Sequence, residues 1–259
     1  GSEMCIRDRD YTVTVNGNIV ELTFASEFAD EIIKEYGGKF QAFLNATVLN
    51  VNNNKAGAVK TNKAVLTWNT HESTSDAAVG IVEPAIDITK NFNVTEVEGL
   101  DHVSFDVIVK NNGKTPLFNV TIFDGLDDFD LFIGQTPSED NVVIKVTGAD
   151  GNPIDAKIKW IGSHVEIDVA QLNPGDIIHA KYSFVIRSDI QIGSQYVNMA
   201  NVVGYSAPDH GRNYYNYDED TLKTKLPAIT KWVVDSSIDN GRDLSLIHIS
   251  EPTRLQLIS

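Results

Sequence analysis

The sequence predicts an all-β chain built as tandem β-sandwich repeats, one complete unit flanked by partial ones. Two features carry that expectation. Short runs rich in Val, Ile, Thr and Phe alternate apolar with polar residues, the period of a half-buried strand, and Asn-Gly, Asn-Asn-Gly, Asp-Gly-Asn-Pro and Asn-Pro-Gly clusters punctuate them. Similar motifs also recur at a period near 140: Ala42 and Ala180 are 138 apart, Asn62 and Asn198 are 136 apart, and Lys90 and Lys231 are 141 apart.

Taken in order, the ends come first. Residues 3–8 (EMCIRD) resemble the translation of a transposase adapter used in sequencing libraries, and residues 244–254 (LSLIHISEPTR) that of its reverse complement. Residues 1–9 and 244–259 are therefore expected to be non-native and are set aside for the fold. Residues 10–70 are expected to be the C-terminal half of an upstream repeat, with strands at 11–15, 19–24, 39–49 and 58–68. The helix expected over 26–36 has a Ser cap, acids in its first turn and Gly37-Gly38 as a stop.

Residues 71–83 read as a linker and 84–205 as the complete unit. Strands are expected there at 86–94, 103–110, 117–123, 142–147, 154–160, 164–169, 177–187 and 196–205. Eight short strands at this spacing indicate a sandwich of immunoglobulin-like type. The polar, Tyr-spotted, acidic stretch 206–226 reads as a second linker, and 227–243 as the first strand of a next repeat.

Three polar residues break the pattern inside the complete unit. Ile86, Ile88, Lys90 and Phe92 share one phase of their strand, so a lysine points where the core should be. Asp124 shares the inward phase of Phe118, Val120 and Ile122, and Asn198 that of Tyr196, Ala200 and Val202. A buried ammonium is costly unless it pairs with an anion or loses its proton. Together the three suggest one buried site, either an ion pair with an amide neighbour or a reactive cluster.

The order EPAIDITK, VSFDVIVKNNGKTPLFNVTIFDGLDD, QLNPGDII and YVNMANVV resembles the conserved-repeat domains of bacterial surface proteins, relatives of the fimbrial isopeptide-forming domains. The resemblance spans nearly all of 84–205. It departs at Gly125-Leu126-Asp127, where the family pattern has Thr-Leu-Pro. It implies an intramolecular amide between Lys90 and Asn198, with Asp124 as proton shuttle. Asn62 and Lys231 would be the equivalents in the flanking partial units, each without its partners. The implied role is a structural stalk or repeat module, extracellular on a bacterial surface, crosslinking itself once and turning over no substrate.

Composition narrows the partners. The formal net charge of −15 and pI near 4.7 argue against nucleic acid and anionic membranes. No run of eighteen apolar residues exists to span a bilayer. Cys5 is the single cysteine, so disulfides cannot staple the fold. No cofactor is expected. Asp209, Asp218 and Asp220 are weak candidates for a metal site at a unit junction, and acidic linkers are more commonly just solvated. The partners expected are neighbouring repeats. A host glycan or protein meeting the Tyr-rich segment 205–217 is the alternative, as is service as an accessory sandwich of a secreted enzyme.

Overall fold

The computed structural model describes residues 11–36, 39–226, 228–231 and 247–250. The residues expected to be adapter-derived lie outside these, save for 247–250. The chain divides into Gly1–Leu49 and Asn50–Ser259, so residues 10–70 do not form one unit.

In the first unit, β1 (Tyr11–Asn16) pairs antiparallel with β2 (Ile19–Phe24). The turn between them places Gly17 at φ 59°, a conformation tight hairpins need and side chains resist. Helix α1 spans Ser26–Tyr36, the bounds the cap and the glycine stop predict. Phe28 is buried, and Phe24 packs against Phe28 and Phe40 with ring centroids 5.9 and 4.8 Å apart. Residues 39–49, expected as a strand, have no regular structure. A strand needs a neighbour, and β1 and β2 pair only with each other among the described residues.

The second unit opens with a hairpin, β3 (Val59–Trp68) on β4 (His71–Gly80). The linker expected at 71–83 is thus mostly strand; ten cross-strand pairs and the stacked Trp68 and His71 rings, 5.5 Å apart, hold it to β3. β4 is exposed throughout and β3 nearly so, with Val59, Val65, Leu66 and Trp68 in solvent.

The sandwich follows: β5 (Ile86–Phe92), β6 (Glu96–Val97), β7 (His102–Asn111), β8 (Leu117–Gly125), a short helix α2 (Asp130–Ile133), β9 (Val143–Thr147), β10 (Lys157–Ile161), β11 (His164–Leu172), β12 (Ile177–Val185), β13 (Gln195–Tyr205) and β14 (Asn213–Thr224). One sheet has the order β5-β7-β12-β9, the other β10-β11-β8-β13-β14-β6. All eight strands expected in 84–205 are present. The segment expected as a linker at 206–226 is corrected, because β14 lies along β13 from Gln195–Lys223 to Tyr205–Asn213 and belongs to the sandwich.

The chain crosses between sheets at one corner. β5 pairs with β7 in the first sheet, and three residues on β6 joins β14, in parallel, in the second. Such sheet-switching closes the end of a sandwich. Between the sheets pack Val103, Phe105, Val107 and Val109 of β7, Val120 and Ile122 of β8, Ile167 of β11, Val202 of β13 and Leu222 of β14, all buried. Alternation predicts each of these except Leu222.

The turn after β7 is held by Asn111, whose buried carboxamide accepts from the Ala85 and Gly113 amides and donates to the Thr115 and Leu172 carbonyls. Gly113 lies against the Pro84–Ala85 backbone, where an added Cβ would come within 2.3–2.5 Å of main-chain atoms. Gly113→Ala is therefore expected to destabilise the sandwich by about 1–3 kcal/mol in chemical denaturation, the usual range for overpacking.

Beyond the sandwich, β15 (Ala228–Lys231) pairs with β16 (Ile247–Ser250), Lys231 opposite Ile247. The remainder of 227–243 lies outside the described residues.

Candidate functional site

Asp124 sits on β8, a central strand, opposite Ala200 of β13 on one side and Val165 of β11 on the other. Flanked on both edges, its backbone has little freedom, and its side chain falls on the inward phase of Val120 and Ile122. Asn198 is two residues from Ala200 on the same face of β13, one diagonal step from Asp124. Lys90 enters from β5 of the opposite sheet. The three residues, on three strands of two sheets, are 1 %, 0 % and 0 % exposed for Lys90, Asp124 and Asn198.

The Lys90 amine donates to Asp124 Oδ2 at 2.6 Å. The Phe105 ring lies under that amine, its centroid 4.1 Å away, and the Tyr182 ring is 5.8 Å away. Phe105 and Tyr182 stack with centroids 4.3 Å apart and wall the site from water.

Burial lowers the Lys90 pKa, against the opposing pulls of Asp124, Asp218 and Asp220. Burial likewise raises that of Asp124, against the pull of Lys90, Asn198 and Tyr182. Both shifts run toward a neutral amine beside a neutral acid, because desolvation of each charge outweighs their attraction. Burial also raises the Tyr182 phenol well above its ordinary value, so it stays protonated.

Asn198 is the anomaly. Its Oδ1 and Nδ2, and Asp124 Oδ1, are buried without a hydrogen bond of acceptable geometry to any described residue. The other fully buried asparagine, Asn111, uses both ends of its carboxamide. An unpaired buried polar group costs about 1–3 kcal/mol, so a core asparagine kept for stability should look like Asn111. The Asn198 carboxamide instead shares a dry pocket with the Lys90 amine and the Asp124 acid.

The remaining sequence candidates fall elsewhere. Asn62 lies on exposed β3 opposite Ala77, outside the sandwich core. Lys231 is in β15, opposite Ile247 of β16. Asp218 and Asp220 are half-buried on β14 and do not form a metal cluster. Each caps backbone instead, Asp218 Oδ2 accepting from the Lys90 amide at 2.8 Å and Asp220 Oδ2 from the Phe92 amide at 2.7 Å. Asp209 is exposed in the β13–β14 loop, and no group of three or more metal-ligating side chains exists among the described residues. Tyr215 and Tyr217 lie exposed on the outer face of β14.

Sequence reasoning missed Tyr182, Phe105 and the carboxylates of β14 as parts of the site. Tyr182 shares the inward phase of Ile178, Ala180 and Phe184, a signal that was present but reads as ordinary core.

No protein-family description and no curated protein matches the chain. Solved structures resemble it in part. A variant of BcpA, the major pilin subunit of Bacillus cereus, is 12 % identical with a TM-score of 0.42, over 75 % of this chain and 61 % of that one. Two domains of the major pilin SpaD from Corynebacterium diphtheriae are 14 % identical with a TM-score of 0.39, over 52 % of this chain and 50 % of theirs. AvmM, which catalyses macrocyclization in alchivemycin A biosynthesis, is 9 % identical with a TM-score of 0.31, over 54 % of this chain and 90 % of that one. The chain thus spans about three-fifths of the first pilin. Among the described residues, no helix is long and apolar enough to cross a membrane.

Proposed function

We propose that the chain is a stalk or repeat module of a bacterial surface or fimbrial protein, whose complete sandwich closes an amide between Lys90 and Asn198. The observation that carries this is the unpartnered Asn198 carboxamide, buried with the Lys90–Asp124 pair.

In the proposed reaction the neutral Lys90 amine attacks Asn198 Cγ. Asp124, protonated, hydrogen-bonds the carboxamide oxygen as charge develops there and then protonates the departing nitrogen. The Cγ–Nδ2 bond breaks as the Nζ–Cγ bond forms. The proton lost from Nζ returns to Asp124, and ammonia leaves with the electron pair of the broken bond. Folding supplies proximity once, and no turnover follows. The acidic composition, with Cys5 the single cysteine and so no intramolecular disulfide, suits an extracellular chain that needs another staple. Its partners in this reading are the neighbouring repeats, and no nucleic acid, membrane or cofactor is required.

The amide joins the first strand of the sandwich to β13 and removes roughly 110 residues from the load path when the unit is pulled from its ends. Stretching the unit from about residue 84 to 225 should release a contour length of about 120 Å, against about 480 Å if the whole unit extends. Single-molecule force spectroscopy checks this. Full extension of the wild-type unit, matching that of Asp124→Ala, would overturn the proposal.

A further inference from the structure

We infer that Asp218 and Asp220 of β14 are positioning residues for the Lys90–Asn198 reaction, clamping the free edge of β5 by its backbone so that Lys90 is held in register with Asn198. The inference rests on the reading given under Proposed function. β5 is an edge strand with β7 on one side only. The backbone groups of Ile86, Ile88, Lys90 and Phe92 point away from β7, toward β14 in the other sheet. No backbone ladder joins β5 to β14, since these strands belong to different sheets.

Side chains of β14 bridge the gap instead. Asn216 Nδ2 donates to the Ile86 carbonyl at 3.3 Å, Asp218 accepts from the Lys90 amide and Asp220 from the Phe92 amide. The three acting residues are two apart, one face of one strand, and each meets a residue of β5 on its outward-facing edge. The same acids are fixed to the electrophile: Asp220 is the cross-strand partner of Asn198, and Asp218 of Ala200. One pair of carboxylates therefore ties the lysine's own backbone to the strand that carries its target. A slip of β5 would break both bonds and carry Lys90 away from Asn198 and Asp124.

A second consequence is electrostatic. The charged and titratable groups facing Lys90 are Asp124 from β8, Tyr182 from β12, and Asp218 and Asp220 from β14. The two β14 carboxylates favour the ammonium form and so oppose formation of the reactive amine. The clamp gains register at some cost in amine reactivity, and amide side chains in the same places would keep the acceptor while removing the charge.

The test follows amide formation by intact mass at timed intervals after cell-free synthesis of the full chain, across pH, for wild type, Asp218→Ala/Asp220→Ala and Asp218→Asn/Asp220→Asn. The double Ala chain should convert at least about tenfold more slowly, equivalent to about 1.4 kcal/mol of barrier. The double Asn chain should recover conversion, with its half-maximal pH lower, because losing two nearby negative charges leaves the amine neutral at lower pH. Bonds that merely stabilised the fold would leave that pH profile unmoved. If the Ala chain does not fold, the Asn chain decides by its profile. Wild-type rate in the Ala chain, or an unmoved profile in the Asn chain, overturns the clamp. A wild-type chain that never converts overturns the amide itself, and the clamp with it.

Discussion

An Asp124→Ala chain is expected to fold, to keep its full calculated mass, and to carry Lys90 as a free amine. Without the acid, nothing protonates the departing nitrogen of Asn198 or accepts the proton of Nζ, so amide formation stops. Two stability terms are lost together. The amide would close a loop of roughly 110 residues, worth about 4–5 kcal/mol if it acts on the unfolded chain as a disulfide of that loop length does. The variant also leaves an uncrosslinked Lys90 in the core without its acid, and a buried charge without its partner costs about 3–5 kcal/mol. Lys90 escapes part of that second cost by staying neutral, the direction in which burial already pushes it. Denaturant titration against wild type should therefore show a loss of at least about 4 kcal/mol, and intact mass should show no loss of ammonia. Wild-type stability with the amide present would remove Asp124 from the mechanism.

The second large effect concerns the stretch that composition disguises as a linker. A chain ending at residue 206 keeps all eight strands that alternation reveals, yet it is expected not to fold. It loses the partner of β13 along eleven cross-strand pairs, the buried side chains of Leu222 and Thr224, the β6 pairing, and the acceptors of the Lys90 and Phe92 amides. Burial of a leucine side chain alone is worth about 1.5–3 kcal/mol. Each amide left unpaired costs about 1–3 kcal/mol, against a total stability of about 5–15 kcal/mol for a domain. Dispersed amide resonances and a cooperative melt from the shortened chain would contradict this; a chain ending at residue 226 should show both.

Alternation explains what could be read from the sequence. In β7 the phase of Val103, Phe105, Val107 and Val109 faces the opposite sheet, so pattern and burial coincide. Lys90, Asp124 and Asn198 were legible for the same reason, as polar residues standing on apolar phases. β14 escaped because its inward phase, Tyr214, Asn216, Asp218 and Asp220, faces the backbone edge of β5 for most of its length rather than an apolar core. Its polarity therefore serves hydrogen bonding and mimics a solvated linker. β4 was hidden similarly, since HESTSDAAVG pairs with β3 but covers no core. Residues 39–49 err in the other direction: alternation states which face would be buried and says nothing about whether a partner strand exists. Tyr182 reads as a plain core aromatic, and only the fold shows its ring beside the Lys90 amine.

The covalent state of Lys90 and Asn198 is tested most directly by the intact mass of the purified wild-type chain, followed by peptide mapping. The mass is expected to lie about 17 Da below the calculated value, the mass of one ammonia released as the amine displaces the carboxamide nitrogen. A single branched peptide should contain both Lys90 and Asn198. A chain at its full calculated mass, yielding Lys90 and Asn198 in separate linear peptides, would contradict the amide and leave the cluster as a buried ion pair beside an unpaired asparagine.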